Sequence, residues 1–295
     1  MVSKATSWET QRHGSRRSRS RGGEYPAIVH PIEHLRHVAR SRAVDESELV
    51  REAAIALGSM RASGADLVVA CRRIVERHAQ IGALWWLGAR LLTSSEPSRL
   101  AWQIADEVAS DPTARTIAAA LPDDATVVTI GWPSVAGAAL LRRGDARVLC
   151  ADSRHEASSF LRQLERADID CDPVASESLA RAVAAADLVL IEGVAACRRR
   201  LLAPVGSHVL AAVAAHLDTP VWCALGIGRR LPCEYVDAIA ERVVAGYESF
   251  DVDIDELPVR LVTHVATTAG VCTDLTTALQ AECAFAPELL RSSAM

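Results

Sequence analysis

The chain has 295 residues, half of them hydrophobic and 4% aromatic, enough for one large core or two ordinary ones built mainly from Ala, Val and Leu. Its formal net charge of −5 excludes a surface that is basic throughout, as wholesale nucleic-acid binding would require. No apolar run reaches the roughly 18–20 residues that span a bilayer, and the basic N-terminus lacks the apolar stretch of a secretory signal, so a cytoplasmic protein without membrane contact is expected.

Residues 1–24 carry Arg12, Arg16, Arg17, Arg19 and Arg21 among Ser and Gly. They read as a disordered tail, and their charge leaves contact with nucleic acid open. Residues 25–121 read as a helical N-terminal domain. Asp45 with Glu48 resembles a capping box, after which Val50, Ala54 and Leu57 share a face at helical spacing. Gly64 separates this helix from one that carries Leu67, Val68, Cys71, Ile74 and Val75. A third holds Leu84, Trp85, Leu87 and Leu91, with the Trp85-Trp86 pair expected in packing. Pro97 and Pro112 each suit the first turn of a helix, where the missing N–H costs nothing.

After Leu121-Pro122 the pattern changes. Strands are expected at 125–130, 147–151, 169–175, 188–191 and 221–225, and helices at 134–143, 155–167, 177–186 and 205–216. Short apolar strands alternating with helices predict a parallel sheet covered on both faces. The fold class is therefore α/β, with the helical domain followed by a Rossmann-like parallel-sheet domain over 122–295. The eight cysteines show no C-x-x-C spacing and no zinc pattern, so no metal is expected. They read as buried thiols of a reducing compartment.

Ligands of such sheets bind beyond the carboxyl ends of the strands. That singles out the loops 131–134, 152–156, 192–206 and 226–230. Gly131 to Ser134 leads into a helix whose first N–H groups can hold an anion. Gly226-Ile227-Gly228 lacks the third glycine of a dinucleotide fingerprint, with Leu231 in its place, so no dinucleotide cofactor is expected. Arg229 and Arg198 to Arg200 are cations suited to phosphate, or simply solvated. No Ser, His and acid arrangement emerges from spacing.

The strand-and-loop order resembles the superfamily that unites the alpha, beta and delta subunits of translation initiation factor 2B with isomerases of methylthioribose-1-phosphate and ribose-1,5-bisphosphate. Asp152-Ser153-Arg154 resembles its acid–Ser/Thr–Arg motif, and Asp187 to Val194 its strand ending in Gly-Ala-Asp. Val205-Gly206-Ser207 resembles its Ile-Gly-Thr. Leu84 to Leu92 and the closing segments Phe250-Asp251-Val252 and Leu261-Val262-Thr263 also match.

The resemblance implies a dimer or assembly with related subunits, and a phosphorylated small molecule held by Gly131, Ser134, Arg154, Gly206, Ser207 and Arg229. The departures fall on the chemistry. Where the isomerases carry a catalytic cysteine, this chain reads Thr129-Ile130-Gly131. Where they carry an aspartate it has Val194, with Glu192 two residues away. Asn-Lys is replaced by Ala203-Pro204. Aldose–ketose isomerisation needs groups that move protons, and Gly131 and Val194 cannot. The expectation is a non-catalytic, regulatory-subunit-like protein that binds a partner. The alternative is a divergent isomerase using Glu192 as acid and base.

Overall fold

The computed structural model describes residues 46–60, 63–152, 156–245 and 252–291. The Arg-rich tail, the Asp45 cap and Arg154 lie outside them. The helical layer comprises α1 (Glu46–Ser59), α2 (Gly64–Arg77), α3 (Gly82–Leu92) and α4 (Pro97–Ala109), whereas α5 (Thr113–Ala120) sends Ile117 and Ala118 into the core that holds Val127 and Leu140. Gly64 opens a helix rather than parting two. Ser63 caps α2, its hydroxyl accepting from the Asp66 N–H at 3.3 Å while the Asp66 carboxylate accepts from the Ser63 N–H at 3.1 Å. That reciprocal pair satisfies two donors of the helix start. Pro97 takes the first turn of α4 as expected, whereas Pro112 is the N-cap of α5. The α3 helix is buried on nearly every side, Trp85 and Trp86 included, as an all-round apolar helix must be.

The remainder runs β1 (Thr126–Ile130), α6 (Ser134–Arg143), β2 (Arg147–Ala151), α7 (Ala157–Arg166), β3 (Cys171–Val174), α8 (Leu179–Ala184), β4 (Leu188–Glu192), β5 (Ala195–Ala196), β6 (Leu201–Pro204), α9 (Ser207–His216), β7 (Val221–Ala224), α10 (Cys233–Ala245), β8 (Ile254–Leu257), β9 (His264–Thr267), β10 (Gly270–Cys272) and α11 (Leu275–Ala278). Seven strands form one sheet in the order β10-β9-β7-β4-β1-β2-β3. Every neighbouring pair is parallel except β9 with β10. Side chains alternate between two cores: Val128, Val189 and Leu210 meet on one face, Val127, Leu140 and Leu190 on the other. Two covered faces are why these strands read as unbroken apolar runs. Pro173 lies in β3, at the sheet's edge, opposite Cys150.

Three features differ from the sequence expectation. A second sheet, β5-β6-β8, is antiparallel, and its β5 and β6 lie within the stretch 192–206 that the sequence reads as one strand-end loop. The α10 helix was not anticipated. Its Tyr235, Val236 and Ile239 pack against the helical layer rather than the large sheet. The cysteines are not all thiols, because Cys197 and Cys233 form a disulfide with a Cα separation of 5.3 Å. The apolar segment 259–271, open between interface and strand, supplies β9, whose Val265 and Ala266 are fully buried in the sheet.

Candidate functional site

A cleft of about 850 Å³ opens over the carboxyl end of the parallel strands and under the helical layer; Glu46, Trp132, Ser134, Phe160, Glu192 and Arg229 are among its lining residues. Its floor is an ion pair. Glu192 ends β4 and is 7% exposed. Its Oε1 accepts from Ser134 Oγ at 2.8 Å and from Arg229 Nη1 at 2.6 Å. Its Oε2 accepts from the Val135 and Ala136 N–H groups at 2.8 and 3.0 Å. Those two donors belong to the first turn of α6, where open N–H groups and the helix dipole favour an anion. The carboxylate of Glu192 therefore occupies the donors that an anion bound at this helix start would need.

Arg229 is 4% exposed and both terminal nitrogens of its guanidinium are engaged. Besides Glu192, Nη1 donates to the Gly193 carbonyl at 2.9 Å, and Nη2 reaches Glu46 Oε2 at 3.1 Å and Ser134 Oγ at 3.5 Å. Burial pushes this guanidinium down, but the charges of Glu192 and Glu46, the hydrogen bond to Glu192 and the charge of Asp111 outweigh it and hold it above its ordinary value. It stays a cation, as a buried carboxylate requires of its partner.

The other strand-end loops follow the same plan. Gly206 adopts φ +93°, and a Cβ there would sit 2.7 Å from Ile130 Cδ1, so the turn into α9 needs glycine. The N–H groups of Gly206 and His208 both donate to Asp255 Oδ2, at 2.8 and 3.2 Å. The Ile227 N–H donates to Asp111 and the Gly228 N–H to Glu282, each at 2.9 Å. The Ala157 N–H donates to Asp152 at 3.2 Å. At each of these turns a carboxylate of the chain itself takes the backbone donors.

The sequence-derived residues are thus divided. Ser134, Glu192 and Arg229 meet in one network. Gly206 and Ser207 belong to the separate Asp255 cap, and the buried Ser207 hydroxyl has no hydrogen-bond partner among the described residues. Gly131, at φ +67°, gives its N–H to the Ala151 carbonyl at 2.9 Å, inside the sheet. Arg154 lies outside the described residues. Sequence reasoning missed Glu46, Asp111, Asp255 and Glu282. Glu46 stands 183 positions from Arg229, and no local pattern links residues so distant.

None of the eight cysteines lines the cleft. Cys150 Sγ lies 3.5 Å from the Gly131 carbonyl. It is fully buried; burial, then the charges of Asp152 and Cys171, pushes its thiol up to about 12. Burial likewise pushes the Cys223 thiol up to about 12. Glu156, on the cleft wall, has its carboxyl pushed above the usual range by desolvation, then by Asp253 and Asp152. Among the described residues no group of three or more His, Cys, Asp and Glu could hold a metal ion, and no helix is long and apolar enough to cross a membrane.

The architecture is that of the initiation factor 2B subunits: a helical N-terminal layer on a mostly parallel seven-stranded sheet. The eIF-2B of Pyrococcus horikoshii superposes with a TM-score of 0.65 at 15% identity, covering 84% of this chain and 98% of that one. The tetrameric eIF2B-beta2-delta2 complex of Chaetomium thermophilum gives 0.66 at 17%, covering 84% and 93%. The eIF2B beta of the same organism gives 0.62 at 18%, covering 82% and 86%. No family model and no curated protein matches the sequence. At these identities the likeness shows a shared fold.

Proposed function

We propose that this chain is a non-catalytic protein of the initiation factor 2B regulatory-subunit type, which acts by assembling with a partner or a second copy. The observation that carries the reading is the Glu192–Arg229 pair. A general acid and base must exchange protons with substrate, whereas Glu192 accepts four hydrogen bonds and is held by a buried cation. A sugar phosphate would have to displace this carboxylate from the start of α6 and face Glu46 and Glu156 across the cleft. The surface favours assembly. The α9 helix carries apolar residues on its outer side as well, with Val209 56% exposed and the adjoining Leu217 39% exposed, the pattern of a helix that another surface covers.

The test is thermal unfolding of the purified protein against pentose phosphates, methylthioribose-1-phosphate and sugar bisphosphates, with light scattering on the same sample. The expected result is no shift, no turnover and a mass above that of the monomer. A ligand at 100 times its Kd adds about 2.7 kcal/mol, several degrees at roughly 2–4 °C per kcal/mol. Such a shift, followed by turnover, would establish the isomerase reading instead. A shift without turnover would place a phosphorylated ligand in a regulatory cleft.

A further inference from the structure

Cys233 is the first residue of α10, a helix of 13 residues, and is partly exposed. Cys197 follows β5 and is buried. Their bond ties the second sheet to α10. It also lies beside the segment that carries Arg229. Ala196, next to Cys197, donates its N–H to the Arg229 carbonyl at 2.7 Å and accepts from the Leu231 N–H at 2.9 Å. A helix start stabilises a thiolate, which makes Cys233 the nucleophile and the buried Cys197 the resolving group. Arg198, exposed, puts positive charge next to the pair, whereas Arg199 is already ion-paired with Asp237 of α10 at 3.0 Å.

We propose that Cys197 and Cys233 form a reversible thiol–disulfide site, closed by a small anionic disulfide of the glutathione class, whose closure fixes the Arg229 segment under the cleft. In the first step the Cys233 thiolate attacks one sulfur of glutathione disulfide. A Cys233–glutathione bond forms, the S–S bond of glutathione breaks, and the departing glutathione thiolate takes up the proton that Cys233 gave. Cys197 then loses its proton and attacks Cys233 Sγ. The mixed disulfide breaks and the second glutathione leaves with that proton. Two cysteine thiols are oxidised by two electrons, and one glutathione disulfide becomes two thiols. The carboxylates of glutathione disulfide meet the charge of Arg198 on approach.

The test uses the full chain equilibrated in glutathione buffers of graded oxidised-to-reduced ratio, with alkylated cysteines counted by mass spectrometry. One reversible transition is expected, from eight alkylated thiols to six, mapping to Cys197 and Cys233. Cys197→Ser should stop at a glutathione on Cys233, and Cys233→Ser should carry none. Hydrogen exchange of the 226–233 amides should be about tenfold slower in the oxidised form, as expected when a local opening is suppressed. Eight alkylated thiols at every ratio, a bond mapping to other cysteines, glutathione on Cys197 in Cys233→Ser, or equal exchange in the two forms would each overturn the proposal.

Discussion

The starts of α6 and α9 face the same problem and solve it at different depths. Each presents open backbone N–H groups just after a strand, the parallel β1 for α6 and the antiparallel β6 for α9, and each is closed by a carboxylate from a distant part of the chain. At α9 the acid is Asp255, half-buried on β8, and it needs no arginine. At α6 the acid is Glu192, buried, and it requires Arg229, which in turn draws in Glu46 from the helical layer. The comparison teaches that a shallow cap is a local device. A deep one must recruit a counter-charge, and so binds two layers of the molecule together.

Arg229→Met breaks the deep cap most severely. It leaves the Glu192 carboxylate buried without its cation, and a loss of about 3–5 kcal/mol in urea unfolding is expected. Combining Arg229→Met with Glu192→Leu removes both charges. The double variant should unfold at a higher urea concentration than Arg229→Met alone, since well-packed apolar replacements of buried pairs are often neutral. Simple additivity of the two losses would show that the pair is not coupled. Asp255→Ala breaks the shallow cap and should cost about 1 kcal/mol, with no effect at the Glu192 end. Val209→Asp, on the outer side of α9, should change monomer stability by no more than about 0.5 kcal/mol. It should nevertheless lower the mass found by light scattering, and an unchanged mass would move the interface elsewhere.

The large sheet was legible because its strands are buried on both faces, so Val127-Val128 and Leu188 to Ile191 appear as apolar runs. The second sheet was not. Its β5 has two residues, and β6 ends in Pro204 directly before a helix start, so neither presents a period to read. The α10 helix did carry a signal, with Tyr235, Val236, Ile239 and Val243 at helical spacing and Pro232 just before. At the site, Ser134, Glu192 and Arg229 were each legible from their loops. Their union was not, because it spans separations of 58 and 37 residues that only the finished sheet brings together. The carboxylates at the other loop ends were illegible for the same reason, since an isolated acid looks like ordinary surface.

Pro173 has a consequence for what can be added to the large sheet. It sits in the outermost strand on one side of the sheet, opposite Cys150, and it has no N–H to offer an incoming strand. On the other side the sheet ends in the short antiparallel β9–β10 hairpin. A sheet finished at one border by an imide and at the other by a three-residue return strand is a poor template for continuous strand addition. Growth into fibres along the hydrogen-bonding direction of this sheet is thereby discouraged, whereas a contact made through helical faces would be able to close on itself and stop at a defined number of subunits.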